Sequence, residues 1–269
     1  MLKDITLGQY FPGDTVVHRL DPRTKLILVV LYIVALFNAK GWGAYLLMIA
    51  VTLICMAISH ISLRNIFKGL KPMLFIIVLT ALLNLFYTQG TPIREGWIIT
   101  WEGIARATKM ILRITLLIVG TFLLTYTTSP MALTDGLEML LKPLNKLKVP
   151  VHEMTLMMSM ALRFIPTLIE ETDKIMSAQK ARGADFETGN LIERAKALLP
   201  ILVPLFVSAF RRADELAIAM ESRCYHGGEG RTRLRVLKTT KNDWIALGIV
   251  FLLLALIILE GIFLKGVLF

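Results

Sequence analysis

Long apolar runs, broken at intervals by tight clusters of charge, constrain this chain more than any other feature. A helix that crosses a bilayer needs about 20 mostly apolar residues, because hydrocarbon offers no water to satisfy backbone groups. Five stretches meet or approach that length: 25–38, 42–58, 72–87, 110–128 and 244–264. With 55% of its 269 residues hydrophobic and a mean hydropathy of +0.65, the chain is too apolar for an ordinary soluble domain, yet its charges are bunched rather than spread. The pattern predicts an all-α integral membrane protein of about five transmembrane helices with a large polar insert.

The first two runs are separated only by Asn38-Ala39-Lys40-Gly41. Two spans are expected, with a broken or re-entrant pair as the alternative. Trp42, Trp97, Trp101 and Trp244 fall at run edges, where amphipathic rings favour the headgroup region. Lys3, Arg19, Arg23 and Lys25 precede the first run, Arg64, Lys68 and Lys71 separate the second from the third, and residues 129–242 hold the largest basic share. The alternate connections carry little: Lys40, then Arg94, and Lys265 after the last run. That bias predicts a cytoplasmic N-terminus and insert and an outer C-terminus. Arg106, Lys109 and Arg113 break the pattern, so either they face the bundle interior or the fourth span begins before residue 110. Three regions result: 1–128 with about four spans, a cytoplasmic region 129–242, and a C-terminal span within 243–269.

The net charge of +10 flanks or separates apolar runs, which fits contact with an anionic leaflet and argues against nucleic acid. The mixed polar stretch 1–23 lacks the order of a cleaved signal, so the spans themselves are expected to direct insertion. Cys55 lies inside an apolar run and Cys224 in a polar segment, so no disulfide is expected.

Within 129–242 the pattern predicts about three long helices. The first covers about 131–146, between Ser129-Pro130 and Val149-Pro150. The second, about 152–182, carries Met154, Met157, Met158, Ala161, Phe164, Ile165, Leu168 and Ile169 on one face. Pro166 should kink it and Gly183 should stop it in a left-handed turn. The third begins near Asn190, with Glu193 supporting its first turn, and ends near Arg223 before Gly227-Gly228. Its apolar stretch 197–210 holds Pro200 and Pro204 and is too short to span, so it should lie against membrane helices or in the interface.

The ends of the second and third of these helices look alike. Lys180-Ala181-Arg182-Gly183-Ala184 and Glu221-Ser222-Arg223-Cys224-Tyr225 each set one arginine between small residues, and Asp173 matches Asp214 at the same offset. A single arginine in a last helical turn is explained by the helix dipole, at about 0.3–1 kcal/mol. Two copies with small flanks point instead to paired docking, since a guanidinium presents a planar fork of donors and small neighbours allow close approach.

Other chemistry is missing. Gly227-Gly228-Glu229-Gly230-Arg231 lacks the lysine and the strand of a phosphate-binding loop. His18, His60, His152 and His226 have no partners at metal-ligand spacing. Cys224 with His226 reads as a surface helix end rather than a nucleophile and base, and Asp135, Glu138, Glu170, Glu171 and Asp173 read as solvated faces. Glu260 is a carboxylate inside the last run. Met154, Met157, Met158 and Met160 crowd the start of the second insert helix, and flexible thioethers suit either a core or a surface that accepts several partners. Two rival readings stay open from the residues: a self-sufficient secondary transporter, built on Glu260 and residues 106–113, and an integral membrane enzyme using Asp173 with Glu170.

The chain resembles the EcfT family, the transmembrane coupling subunits of energy-coupling factor vitamin transporters. The resemblance rests on His18-Arg19-Leu20-Asp21-Pro22-Arg23-Thr24-Lys25, on Leu162-Arg163-Phe164-Ile165-Pro166-Thr167-Leu168, and on both arginine motifs, which in the family usually read Ala-Arg-Gly. Ala181, Arg182 and Gly183 keep that pattern; Ser222 and Cys224 depart from it around Arg223. The resemblance implies a non-catalytic scaffold in the plasma membrane of a prokaryote, without cofactor. It would carry two ABC ATPase subunits (EcfA and EcfA′), docked at Ala181, Arg182 and Gly183 and at Ser222, Arg223 and Cys224. The bilayer and a separate vitamin-binding S component would be its other partners, the latter met at Met154, Met157, Met158, Pro200 and Pro204. The insert helices would pass ATP-driven motion to that component.

Overall fold

The computed structural model describes residues 10–92, 99–186, 188, 190–227 and 237–267. Lys3, Arg94, Trp97, Gly228, Glu229, Gly230 and Arg231 lie outside the described residues, as does the side chain of Lys265. Among the described residues the elements are helical, apart from one isolated antiparallel bridge between Pro92 and Thr100. In chain order the α-helices are α1 (Val16–Arg19), α2 (Pro22–Asn38), α3 (Trp42–Ser59), α4 (Leu63–Leu70), α5 (Leu74–Tyr87), α6 (Trp101–Thr127), α7 (Pro130–Leu141), α8 (Val151–Ala181), α9 (Leu191–Ala197), α10 (Leu199–Glu221) and α11 (Lys241–Val267). They fall into two compact units, one of Leu140–Val236 and one of Gly8–Met139 with Leu237–Phe269.

The second unit is an all-α membrane bundle. Four of its helical stretches are long and apolar enough to cross a bilayer: Trp42–Ser59, Leu63–Tyr87, Trp101–Thr127 and Lys241–Phe263. A fifth apolar helix, α2, has 17 residues and reaches about 25 Å. The first two runs are thus separate helices joined at Ala39 to Gly41, with no break inside either. α6 packs against α2, α3 and α5, and α11 against α2 and α3. Ala35, Leu36, Ala44, Tyr45, Met48, Leu116, Leu253 and Ile257 form the inner core, while Phe75, Val78, Leu82 and Phe86 on α5 stay exposed, as lipid-facing residues should. Gly120 is where α6 meets Tyr32: a Cβ there would lie 2.5 Å from the ring.

Two boundaries differ from expectation for one reason. An apolar-run criterion stops at charge, whereas a helix stops only where its backbone bonds stop. The fourth span begins at Trp101, nine residues ahead of residue 110, because the Thr100 hydroxyl accepts from the Gly103 N–H at 3.0 Å and caps it there. Arg106, Lys109 and Arg113 are therefore inside α6. Lys109 donates to the Lys40 carbonyl at 3.0 Å and Arg113 to the Ala39 carbonyl at 3.2 Å, cations set against the C-terminal end of α2. Likewise Arg64, Lys68 and Lys71 lie in a helical stretch that starts at Leu63, with Pro72 tolerated in a 3-10 turn, Lys71–Met73.

Glu260 also finds a structural explanation. Its carboxylate lies 2.9 Å from where a Cβ on Gly43 would sit, against the first turn of α3, whose positive dipole end favours an anion.

Candidate functional site

In the unit formed by Leu140–Val236, α8 is a 31-residue helix that runs unbroken through Pro166. A 3-10 turn, Lys142–Leu147, precedes it, in place of the last turn of the helix expected to reach residue 146. α9 and α10 form the third expected helix in two pieces divided at Leu198, two residues before Pro200, whose ring removes a backbone donor. Its start is as expected: the Asn190 N–H donates to the Glu193 carboxylate at 2.9 Å, one half of a capping box.

The two arginine motifs share one backbone geometry. At the first, the Gly183 N–H donates to the Lys180 carbonyl and the Ala184 N–H to the Gln179 carbonyl, both at 3.0 Å, with Gly183 left-handed at φ 90°. At the second, the Cys224 N–H donates to Glu221 at 2.8 Å and the Tyr225 N–H to Met220 at 3.0 Å, with Cys224 left-handed at φ 55°. Both patterns are the paired 5→2 and 6→1 bonds of a Schellman turn, and in both the arginine is the last residue before the left-handed one. The expected stop at Gly183 is present. The departure from glycine at Cys224 leaves the turn intact, at the cost of holding an L-residue where a Cβ crowds the backbone. Arg182 and Arg223 are exposed, and among the described residues neither pairs with a carboxylate.

Between the two turns lies an ion pair. Arg212 Nη2 reaches Glu171 Oε2 at 3.0 Å, with both side chains about a third exposed or less. Glu171 is thus not the solvated carboxylate it was expected to be. The two positions differ by the same 41 residues as the two arginines. Each partner consequently lies eleven residues before its own arginine, about 16 Å along the helix.

The helices run antiparallel. Gln179 near the end of α8 donates to the Pro200 carbonyl at 3.4 Å, near the start of α10, while Met157 lines a cleft of about 330 Å³ with Met220 at the far end. Ala209, Ala213 and Ala217, one turn apart on α10, line that cleft and let α8 come close. Arg182 and Arg223 therefore sit at opposite ends of the pair, no more than about 33 Å apart along its axis.

The other expected contact residues separate into two groups. Met154, Met157 and Met158 are exposed on the first turns of α8, beside the Arg223 end. Pro200 and Pro204 are exposed on the first turns of α10, beside the Arg182 end, among uncovered Leu199, Leu202, Val203, Phe206, Val207 and Phe210. They do not form one patch. Among the described residues no cluster of His, Cys, Asp or Glu could hold a metal ion. The arrangement offers two matched donor forks on a braced helix pair, and an apolar strip with nothing polar to satisfy.

The Glu171–Arg212 pair was open to sequence reasoning. It repeats the offset that relates Asp173 to Asp214, and its opposite charges mark contact rather than duplication.

Residues 13–234 match the CbiQ family, described as cobalt transport protein. A protein of Clostridium kluyveri named energy-coupling factor transporter transmembrane protein EcfT is 55% identical over 250 residues, covering 91% of this chain and 93% of that one. Its namesake from Ruminiclostridium cellulolyticum is 52% identical over 261 residues, covering 96% and 98%. The Bacillus subtilis protein of that name is 50% identical over 246 residues, covering 90% and 93%.

Proposed function

This chain belongs to the CbiQ/EcfT family of transporter membrane subunits, and from that premise we propose that it couples two ABC ATPases to a separate substrate-binding S component. It catalyses nothing itself. Each ATPase receives one arginine turn, Ala181-Arg182-Gly183 or Ser222-Arg223-Cys224, in a groove whose carboxylates meet the guanidinium fork. The observation that carries this is the matching geometry of the two turns: same capping bonds, same left-handed position after the arginine, same distance from the Glu171–Arg212 pair.

ATP-driven approach and separation of the ATPases displaces the two helix ends, and the braced pair passes that displacement on. The apolar strip that includes Pro200 and Pro204, and the separate methionine cluster Met154, Met157 and Met158, are the surfaces offered to the S component. Thioethers suit exchange among several such components. Taken up with it would be a vitamin or similar micronutrient, across a prokaryotic plasma membrane. The basic bias supports a cytoplasmic N-terminus and insert.

Purification in gentle detergent tests this directly. Two ATPases should co-purify with the unaltered chain, and Arg182→Ala or Arg223→Ala should each release one and abolish uptake. Truncating one partner of a buried charged contact costs about 2–5 kcal/mol, enough to empty the site. Uptake that stays near the unaltered value with either arginine replaced refutes the docking role.

A further inference from the structure

The opening motif from Asp21 to Lys25 is buried, although it is polar. Asp21, Thr24 and Lys25 are each 5% exposed or less, and Asp243 at the start of α11 is 1% exposed. Burying that much charge is unfavourable unless every group has a partner, so the partners tell what the motif is for.

Lys25 spends all three of its donors on one neighbourhood. Its Nζ donates to the Thr127 carbonyl at 2.9 Å, to Thr128 Oγ1 at 3.1 Å and to the His18 carbonyl at 3.0 Å. Thr127 and Thr128 end α6, one helix before the bundle unit gives way to the insert at Leu140. On the same outgoing side, Gly136 of α7 packs so tightly that a Cβ there would meet Pro22 Cβ at 3.0 Å and the Arg23 nitrogen at 3.2 Å.

Asp21 and Arg23 hold the returning side. The Asp21 N–H donates to Asp243 Oδ1 at 2.8 Å, and Arg23 Nη2 donates to the Leu237 carbonyl at 3.5 Å. Asp243 in turn accepts on Oδ2 from the Thr240 N–H at 2.6 Å and the Thr240 hydroxyl at 2.7 Å. Residues 237–243 are where the chain re-enters the bundle. One five-residue motif thus holds, within the bundle unit, both the segment that leads toward the insert and the one that returns from it.

The grip also contains slack. Arg23 Nε stands 3.9 Å from Asp21 Oδ1, beyond hydrogen-bond reach, and among the described residues neither Arg23 Nε nor Asp21 Oδ2 has a hydrogen-bond partner. An unsatisfied buried donor beside an unsatisfied acceptor is what a joint with a second setting would hold.

We propose that Asp21, Arg23, Lys25 and Asp243 form the joint through which motion of the insert is delivered to the membrane helices, making them positioning residues for transport. This rests on the coupling function above. The motif acts by fixing both stems to α2, so that displacement of the insert turns the first membrane helix instead of flexing the two connections.

The test uses the whole complex in proteoliposomes, with a riboflavin-binding S component and radiolabelled riboflavin as the probe. The readouts are ATPase retention, ATP hydrolysis and riboflavin taken up per ATP. Asp243→Asn keeps the volume, but its amide nitrogen cannot accept from Thr240; Lys25→Met removes all three donors. Both complexes should retain their ATPases and hydrolyse ATP within about twofold of normal, while uptake per ATP falls roughly tenfold, inside the range of a typical coupling between sites. Should either polar variant fail to fold, Gly136→Ala keeps every charge and prises the same joint by a few tenths of an ångström; it should lower uptake per ATP in smaller measure. Uptake per ATP that stays normal in the folded variants overturns the proposal. So does loss of ATPase retention or a parallel fall in hydrolysis and uptake, because a merely structural network would give that. Failure of the docking function looks different: the unaltered chain would retain no ATPase, and the joint would fall with it.

Discussion

Replacing Gly183 by alanine isolates the turn from everything else at the proposed docking end. A Cβ built on Gly183 has nothing within 4 Å among the described residues, so the substitution introduces no clash with them. What it meets is backbone strain, because φ is 90° and an L-residue there crowds its own carbonyl, at about 1–2 kcal/mol. The chain escapes that strain by fraying the Schellman turn, which swings Arg182 out of register. If only the intact turn docks, the competent fraction falls with it, so ATPase retention weakens by about 5- to 30-fold. Cys224→Gly is the mirror experiment. It relieves a left-handed L-residue but adds freedom to the unfolded chain, about 0.5–1 kcal/mol in opposition, so docking should hold or tighten slightly. The assay is titration of purified ATPases onto the immobilised chain. Unchanged affinity for Gly183→Ala refutes the argument, as does a tenfold loss for Cys224→Gly, which would assign the contact to the thiol.

Lys241→Ala, outside both turns and the joint, should leave uptake near normal in the same proteoliposome assay. A double-mutant cycle on Glu171→Gln and Arg212→Gln should return a coupling of about 0.5–1 kcal/mol by thermal unfolding, modest because both side chains are partly exposed. Gly120→Ala should destabilise the bundle by about 1–3 kcal/mol, since Tyr32 cannot retreat from the added methyl while its hydroxyl is held by Thr52 at 2.9 Å and the Leu116 carbonyl at 3.1 Å. Burial lowers the pKa of His18 below its ordinary 6.5, opposed by the hydrogen bond to the Phe11 carbonyl. The folded chain therefore binds that proton less readily than the unfolded one. Stability is intact above about pH 6.5 and declines as pH falls through that value and the lowered one, a dependence that His18→Gln should flatten in melting curves.

Much of the architecture was legible because the bilayer imposes a coarse rule. Five apolar runs gave five apolar helices, and Gly183 and Asn190 marked boundaries through local backbone chemistry alone. The misplaced starts of the third and fourth spans have a shared cause: lysine and arginine are good helix formers, so charge inside a helix hides its true beginning. At the two arginine turns, duplication made both arginines visible. The preserved turn at Cys224 was not visible, since a left-handed cysteine contradicts the usual preference and only the backbone bonds reveal it. The grip of Lys25 on Thr127 and Thr128 was hidden for a different reason. It joins residues a hundred positions apart, and nothing in local pattern announces such a pairing.

The placement of Glu171 against Arg212 has a mechanical consequence. A fulcrum midway along a beam gives both ends equal leverage, so a given thrust at either tip yields the same rotation. If the two turns dock motors as proposed, motors of different sequence could drive such a beam provided their strokes match in length, and lengthening either arm by a helical turn would unbalance the stroke without touching the proposed docking contacts.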